Sequence, residues 1–403
     1  MKKKIKFRYI DLFAGCGGLS LGLFNAGWQG IFAIEKNPDA FRTLRHNLIS
    51  KKGHFAWPEW LPVNNYNIDN LLKDYYEELI QLNKNVDLVA GGPPCQGFSV
   101  AGRRNEDDSR NRLIDSYLEF IEIVKPSCIF FENVKGFTLS FKNNAELGKN
   151  YSEYVIKRLQ NIGYYVHGQL LDFSKFGIPQ KRTRFILVGI RKTVDHAESL
   201  PKHFFDVLQS KKYDVLLQKG INKNINLEDA ISDLLEAHGT TQCPDSKRFR
   251  SGLYSIAKTP YQKNLRGEER VGTVPDSHRL VNHSDRIKAR FQYAIENDLG
   301  PAEYRAYFKL SKSGTKKVSK DEPTPTLTTL PDDYIHYQEP RIFTVREFAR
   351  IQSFPDWFEF KGAYTTGGKA RVKQTPRYTQ AGNAIPPLFA EIAGITLKEL
   401  LNV

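Results

Sequence analysis

The sequence IKFRYIDLFAGCGG, residues 5–18, predicts a buried strand that runs directly into a glycine-rich loop. The apolar segment LSLGLFNAG (19–27) follows as a helix, which Gly27 can end in a left-handed conformation. The next segment, GIFAIEKN (30–37), has the continuous apolar character of a buried strand. The chain therefore opens with a strand, a loop, a helix and a strand, the unit from which parallel sheets are built.

The same alternation of strands and helices continues to about residue 190. Strand-like runs occur at VDLVAGG (86–92), SCIFFENV (127–134), YYVHGQLLDF (164–173) and RFILVGIR (184–191), and helical spacing occurs at NRLIDSYLEFIEIVK (111–125) and YSEYVIKRLQNIG (151–163). This pattern predicts an α/β fold with a doubly wound, mostly parallel sheet. Ligands of such folds bind beyond the carboxyl ends of the strands.

The character of the sequence changes near residue 191. An irregular, polar stretch with weak periodicity extends to the Pro/Thr cluster DEPTPTLTTLPDD (321–333), and compact patterning returns in TVREFARIQSFPDWFEF (344–360). The last segment, GNAIPPLFAEIAGITLKELL (382–401), predicts an amphipathic helix that docks on the first domain. We expect one domain at 1–190, completed by about 375–403, and a second, smaller domain at 191–374.

Composition limits the class of protein. The chain has 403 residues, 40% of them hydrophobic, and a net charge of +14 from 59 basic and 45 acidic residues. This charge suits a polyanionic partner, although basic proteins without such a partner also exist. No apolar run reaches the length of a membrane span, so we expect a cytoplasmic protein. The four cysteines lack paired spacing, so no zinc or redox site is predicted.

The loop AGCGG (14–18) lets the backbone approach a ligand closely, as a nucleotide requires. Glu35 ends the second strand, where its carboxylate can accept hydrogen bonds from ribose hydroxyls. Ser20 stands where the third glycine of a dinucleotide fingerprint would lie, which favours another adenosine cofactor. The alternative is that the glycines only shape a tight turn and that Glu35 is solvated.

The second motif, GGPPCQGFS (91–99), ends a buried strand. Two prolines fix the backbone before Cys95, and the flanking glycines leave room for a flat ligand. Cys95 is therefore a candidate nucleophile, with a buried structural cysteine as the alternative.

Two further motifs carry charged groups. Glu132, in Glu-Asn-Val at a strand end, can hold or deliver a proton, or it can be an ordinary charged residue at a strand exit. Arg182 and Arg184, in QKRTR (180–184), occupy alternate positions of an extended segment and would share a face. That arrangement suits joint contact with a base oxygen and a phosphate, and surface salt bridges are the alternative.

These motifs, in this order and followed by REFARIQSFPD (346–356) and GNAIPP (382–387), closely resemble the DNA cytosine-5 methyltransferase family of the bacterial restriction-modification type. The resemblance covers residues 7–190 and 341–398. It implies a Rossmann-like, S-adenosylmethionine-dependent methyltransferase fold with a smaller DNA-recognition domain. It also implies S-adenosylhomocysteine as the product and a target cytosine that is flipped out of the duplex.

The resemblance also implies roles for individual residues. Cys95 matches the nucleophile that bonds to C6 of cytosine, Glu132 the carboxyl group that engages the base, and Arg182 and Arg184 the basic pair near the base and its phosphate. The matching cofactor contacts are Phe13, Gly15, Gly17, Gly18, Glu35, Ile68, Pro93, Leu113, Asn383 and Ala384. Arg346, Glu347 and Gln352 match the segment that organises the recognition domain.

One position departs from the family pattern. Before Ile68 the family usually has an acidic residue that contacts the adenine amine, whereas this chain has Asn67, followed by Asp69 after Ile68. The amide oxygen of Asn67 can still accept that hydrogen bond.

The implied partner is double-stranded DNA, and we expect the protein to act as a monomer that does not associate with a membrane. A companion restriction endonuclease would not form a stable complex with it. The basic stretches KRFR (247–250) and SDRIKARF (284–291) are candidate DNA contacts or solvated basic faces. A tRNA cytosine-5 methyltransferase and a noncatalytic DNA-binding regulator are the alternatives. The long separate section before residue 341 disfavours the first, and the intact Cys95 and Glu132 disfavour the second. The interrupted glycine pattern disfavours a dinucleotide oxidoreductase.

Overall fold

A computed structural model describes residues 7–83, 85–94, 112–139, 151–222, 224–310, 315–365 and 374–402. The chain divides into two compact units. The first comprises Met1–Phe173, Thr183–Val215 and Phe389–Val403, and the second comprises Ser174–Arg182 and Leu216–Leu388. That the two regions are a catalytic and a DNA-recognition domain stays a prediction.

The strands of the described part are short in the second unit and longer in the first. They are β1 Arg8–Leu12, β2 Gln29–Ile34, β3 Leu88–Gly91, β4 Cys128–Val134, β5 Tyr164–Asp172, β6 Gln180–Lys181, β7 Thr183–Arg191, β8 Thr240–Gln242, β9 Arg250–Gly252, β10 Lys316–Lys317, β11 Thr324–Pro325 and β12 Tyr334–Ile335.

Helices occur in both units. They are α1 Gly18–Asn25, α2 Pro38–Leu44, α3 Ile68–Asp74, α4 Tyr76–Gln81, α5 Arg112–Val124, α6 Tyr151–Asn161, α7 Leu200–Gln218, α8 Leu227–Ile231, α9 Pro260–Arg266, α10 Asp285–Glu296, α11 Pro301–Tyr307, α12 Val345–Ile351, α13 Arg377–Asn383 and α14 Pro387–Leu401. A π-helical segment spans Arg45–Lys51, and short 3-10 turns lie at Lys135–Thr138, Phe173–Phe176, Ser232–Leu234, Glu236–His238 and Pro331–Asp333. Within the described ranges, none of these helices combines the length and apolarity needed to cross a bilayer.

The first unit is built on a six-stranded sheet in the order β2-β1-β3-β4-β7-β5. The first four strands of this order run parallel, whereas β7 runs antiparallel to both β4 and β5. The prediction of a mostly parallel α/β sheet is therefore confirmed. The carboxyl ends of β1 to β4 lie at one edge, and the antiparallel direction of β7 brings its beginning to that same edge.

The parallel strands are buried because helices cover the sheet. Ile10 of β1, Val89 of β3 and Ile129 of β4 are fully buried in one apolar core, which includes Tyr117 and Ile121 of α5. Continuous apolar strands of this kind require helices on both faces.

The C-terminal helix α14 completes the first unit. The Trp28 indole N–H donates to the Gly394 carbonyl oxygen at 2.9 Å, and Lys398 Nζ donates to the Ala26 carbonyl oxygen at 3.0 Å. A Cβ on Gly394 would lie 2.8 Å from the Ala26 Cβ, so the close approach of α14 requires glycine there.

The irregular, weakly periodic sequence after residue 191 nevertheless contains a long helix. Leu200–Gln218 forms the 19-residue helix α7, and the first unit extends to Val215. Phe204 and Leu208 are fully buried on this helix. The apolar stripe of α7 is narrow, and lysines and aspartates lie beside it. The helical spacing of its apolar residues is therefore difficult to recognise in the sequence.

The second unit contains buried ion pairs around α12. The guanidinium of Arg350 is fully buried and donates to both carboxylate oxygens of Asp356 at 2.6 Å. It also donates to Asp233 at 3.1 and 3.2 Å and to the Ala230 carbonyl oxygen at 3.0 Å. Burial of three charges is tolerated because every one of them has a charged, hydrogen-bonded partner.

We therefore predict that Arg350→Met destabilises the protein by about 3–5 kcal/mol, because Asp233 and Asp356 would lose a shared partner in the interior. Urea denaturation followed by fluorescence measures the change. Arg42→Met is the matched control, because Arg42 is 60% exposed in its ion pair with Asp39 and should cost at most about 1 kcal/mol. Equal midpoints for the two variants would contradict the assignment.

Candidate active site

The glycine-rich loop after β1 is held in a conformation that most residues avoid. Phe13, Gly15 and Gly17 have positive φ angles of 59°, 58° and 96°. A Cβ on Gly17 would lie 3.0 Å from Leu48 Cδ1, whereas a Cβ on Gly15 would meet nothing within 4 Å. Gly17 therefore serves packing, with Gly18 buried behind it as the first residue of α1, and Gly15 leaves open space beside the loop.

Glu35 closes this loop from the end of β2. Its Oε2 accepts a hydrogen bond from the Gly15 backbone N–H at 2.9 Å, and its Oε1 accepts one from the Asn37 N–H at 2.6 Å. Burial raises the pKa of Glu35, and these backbone hydrogen bonds oppose that shift. A carboxylate has about four lone-pair sites, so the Glu35 carboxylate keeps acceptor capacity for a ligand hydroxyl beside its backbone partners.

Asp11 lies buried at the carboxyl end of β1. Its Oδ2 accepts a hydrogen bond from Ser20 Oγ at 2.5 Å, while its Oδ1 has no hydrogen-bond partner in the described part of the chain. Burial raises the pKa of Asp11 to about 7, an effect that the Ser20 hydroxyl reduces. The sequence analysis predicted no role for Asp11, because a pattern does not show how deeply a side chain is buried.

Together these groups fit a nucleoside. The open space beside Gly15 and the remaining acceptor capacity of Glu35 are what an adenosine cofactor needs at a strand-to-helix loop.

Ile68 and Leu113, two of the predicted cofactor contacts, pack into the apolar core of the first unit. Ile68 is 2% exposed as the first residue of α3, and Leu113 of α5 is half-buried against the same apolar cluster. The side chain of Asn67 caps α3 by accepting from the Asp69 N–H at 3.1 Å. Asp69 in turn accepts from Ser116 Oγ at 2.5 Å, so both residues already have structural partners.

The segment after β3 packs closely against the end of β4. A Cβ on Gly92 would lie 2.8 Å from Glu132 Oε2 and 3.1 Å from the Glu132 carbonyl oxygen, so a side chain there would displace this carboxylate. The Asn133 side-chain amide donates to the Pro93 carbonyl oxygen at 3.4 Å. Cys95 itself lies outside the described residues, but the chain that leads to it is fixed beside Glu132.

Glu132 is paired with Arg184. In the antiparallel register of β4 and β7, Arg184 stands opposite Val134, which places it on the same face as Glu132. Arg184 Nε lies 2.9 Å from Glu132 Oε1, and the two side chains are 12% and 14% exposed. Arg184 also donates to the Thr183 carbonyl oxygen at 2.9 Å. The pair leaves Oε2 on the side of Gly92.

Arg182 has different partners. It is 3% exposed and donates from NH1 to the Gly382 carbonyl oxygen at 3.1 Å and from NH2 to the Asn383 carbonyl oxygen at 3.4 Å. The Gln352 side-chain amide donates to the carbonyl oxygens of Ala381, Gly382 and Ala384 at 2.9, 3.1 and 3.3 Å. The two arginines are therefore not a matched pair, because one holds a carboxylate and the other holds backbone.

Gln180 is a contributor that the sequence did not reveal. Its amide N–H donates to Gln352 Oε1 at 2.8 Å, and its Oε1 accepts from the Leu327 N–H at 2.9 Å. A pattern has no local signal for a partner that is 172 residues away.

The described cysteines are buried. Burial raises the pKa of Cys16 to about 12, and it raises the pKa of Cys128 well above the ordinary thiol value. Thiols that do not ionise near neutral pH are poor nucleophiles. Neither of these two residues competes with Cys95 for that role.

Comparison with known proteins extends over nearly the whole chain. The family model of the C-5 cytosine-specific DNA methylase matches residues 7–399. Type II methyltransferase M.DdeI of Desulfomicrobium norvegicum is 30% identical over 402 residues, covering 95% of this chain and 86% of the relative. Type II methyltransferase M.XorII of Xanthomonas oryzae pv. oryzae is 30% identical over 410 residues, covering 98% and 85%.

Solved structures show the same fold. A prophage-encoded protein of E. coli, described as a DNA modification methyltransferase, aligns with a TM-score of 0.68 at 24% identity, covering 99% of this chain and 100% of the other. The Dnmt2 methyltransferase of S. pombe aligns with a TM-score of 0.53 at 16% identity, covering 98% and 99%. The match to the family model spans both compact units, and family membership implies a methyl donor. The chain belongs to the C-5 cytosine-specific DNA methylase family and is a DNA cytosine-5 methyltransferase.

Proposed function

We propose that this chain transfers the methyl group of S-adenosylmethionine to C5 of a flipped-out cytosine in a specific duplex sequence, through a covalent adduct of Cys95. The position of Glu132 carries the proposal. Its Oε2 faces the Gly92 backbone, on the segment that leads into Cys95, and its Oε1 is held by Arg184. This arrangement would bring the nucleophile Cys95 and the proton-holding carboxyl group of Glu132 close together.

The chemistry needs both groups because C5 of cytosine is a weak nucleophile. The Cys95 thiolate forms a bond to C6 and pushes an electron pair into the ring, while Glu132 holds a proton at N3. C5 can then take the methyl group, which S-adenosylmethionine supplies in activated form when bound. Removal of the C5 proton by a base expels Cys95 and restores the aromatic ring. The target must first leave the stacked duplex.

The cofactor would be held at the loop after β1. Glu35 would accept the ribose hydroxyls, and Gly15 would leave room for the ligand. Gly17 and Gly18 would shape the turn, and Phe13, Ile68, Pro93 and Leu113 would supply its apolar and backbone surroundings. Asn383 and Ala384 are proposed as cofactor contacts from the family resemblance, with Arg182 fixing the Asn383 backbone.

Arg184 is proposed as a positioning residue, since it acts through Glu132. Its single ion pair orients the carboxylate so that Oε2 faces the segment before Cys95. Arg182 acts on the backbone of Gly382 and Asn383.

The proposed partner is double-stranded DNA in a restriction-modification system, because the relatives named above are Type II methyltransferases. A companion endonuclease would cut the unmodified sequence without forming a stable complex with this monomer. The proposed DNA contacts include exposed Lys247 and Arg248 before β9, and exposed Arg286 and Lys288 on α10.

The first prediction concerns the adduct. Duplex DNA carrying 5-fluorocytosine at the target should form a denaturation-resistant complex with the protein and S-adenosylmethionine, because fluorine cannot leave C5 as a proton does. Cys95→Ser should form none, and Cys243→Ser should behave as the parent. Bisulfite sequencing of duplex DNA and of tRNA treated with the enzyme identifies the substrate and the sequence. A Cys95→Ser variant that still forms the complex would falsify the mechanism.

The second prediction concerns Glu35. In Glu35→Gln the amide NH₂ must oppose either the Gly15 or the Asn37 backbone N–H, since both carboxylate oxygens are acceptors. S-adenosylmethionine binding should weaken roughly 10- to 100-fold. Isothermal titration calorimetry measures the affinity, with exposed Glu59→Gln as the control. Unchanged affinity in Glu35→Gln would count against the assigned cofactor loop.

The third prediction concerns Arg184. Arg184→Ala should lower kcat roughly 100-fold with little change in KM for DNA. The reason is that the Glu132 carboxylate would lose its orientation, whereas the groups that bind DNA would be unchanged. Arg184→Lys should recover part of kcat. Arg191→Ala, at the other end of β7, should match the parent enzyme because its side chain bonds only Thr193 and the Lys125 carbonyl oxygen among described residues. A loss confined to KM would contradict the positioning role.

A further inference from the structure

Arg279 differs from the buried arginines around it in the second unit. Arg341, Arg346 and Arg350 each have a carboxylate oxygen within 2.6 to 3.0 Å. Arg279 forms no ion pair with any described residue, and its polar side-chain contact is a long one, 3.5 Å from NH1 to Ser246 Oγ. Its Nε is buried without a hydrogen-bond partner among the described residues. A half-buried cation without a counter-ion among the described residues keeps its charge available for a partner.

The guanidinium of Arg279 is sandwiched between two aromatic rings. Its Cζ lies 4.1 Å from the Phe249 ring centroid and 3.9 Å from the Tyr364 ring centroid. The Arg377 Cζ lies 4.2 Å from the same Tyr364 centroid. Two cations at this distance cannot share one face of a ring, so the four side chains form a ladder in the order Phe249, Arg279, Tyr364, Arg377.

The far end of this ladder is anchored. Arg377 is paired with Asp245 at 2.7 Å and donates to Ser277 Oγ at 3.1 Å and to the Gly362 carbonyl oxygen at 2.9 Å. The Tyr364 hydroxyl donates to Asp245 at 2.9 Å. The nearby carboxylate of Asp245 is therefore committed to Arg377 and Tyr364, and it does not neutralise Arg279.

The end of the ladder formed by Phe249 and Arg279 is half-buried and lies beside exposed basic residues. Phe249 belongs to the connection between β8 and β9, whose neighbouring residues Lys247 and Arg248 are exposed. A two-stranded ribbon with a basic connection has the dimensions that the major groove of DNA admits.

We propose that Arg279 reads a guanine in the recognised DNA sequence, through two parallel hydrogen bonds from its terminal nitrogens to O6 and N7. This rests on the proposed methylation of duplex DNA. The rings on both sides fix the plane of the guanidinium, and a planar, preorganised fork is what bidentate contact with a base edge requires. A phosphate contact depends mainly on charge and gains little from such a fixed plane.

The experiment compares site preference in variants of the full-length enzyme. A duplex library with randomised positions around the target is methylated and then read by bisulfite sequencing. Arg279→Ala should lose roughly 10- to 100-fold of the preference for guanine at one position. Arg248→Ala, an exposed charge on the same surface, should slow methylation of all sequences alike. Methylation by the parent enzyme tests the proposed function separately.

Two results would overturn the inference: a uniform loss across sequences in Arg279→Ala, which would indicate a phosphate contact, and an unchanged guanine preference. If Arg279→Ala does not fold, Arg279→Met keeps an unbranched side chain between the rings and should still lose the preference, because it has no donor for O6 or N7. The parent enzyme offers a further measurement. The parent should methylate DNA with 7-deazaguanine at the selected position more slowly than guanine DNA, whereas Arg279→Met should methylate the two at the same rate.

Discussion

The common direction of β1, β2, β3 and β4 is the constraint on which the site depends. Parallel strands deliver their carboxyl ends to one edge, and each of these ends carries a functional candidate: the glycine loop, Glu35, the segment before Cys95, and Glu132. The edge is stable because the middles of the strands are apolar and covered by helices, so polar groups lie toward the strand ends. The reversed strand β7 adds a side chain near its beginning, Arg184, which no parallel neighbour could place there.

The strands and the glycine loop could be predicted from sequence because their signals are local. A continuous apolar run identifies a buried strand, and glycine identifies a backbone position with special conformation, as Gly17 confirms with its φ of 96°. The direction of β7 could not be predicted, since an apolar run looks the same in either direction. The partners of Arg182 and Arg184 were also hidden, because alternation along the chain fixes a face and not what lies opposite. Cys95 remains a prediction from its motif and its family resemblance.

The second unit was the least predictable part, for a related physical reason. Charged residues usually indicate a solvent-exposed face, yet every residue of α12 is buried, including Arg346 and Arg350. Their partners, such as Asp233, are distant in sequence, so the pattern REFAR gives no hint of an interior network. The local start of α12 is the exception. Thr344 and Glu347 form a reciprocal capping box, which is recognisable from the sequence alone.

The aromatic and guanidinium ladder has a consequence for divergence among related enzymes. Arg279 forms no ion pair with a carboxylate in the described part of the chain, so exchanging it would leave none of those carboxylates without its partner, and the surrounding rings can accept other flat or apolar side chains. Mutational drift at this point could therefore retarget the protein to new sites without dismantling its scaffold. In the proposed restriction-modification system, a nuclease that kept the old site would then cut host DNA left unmethylated there, so the two specificities would have to change together.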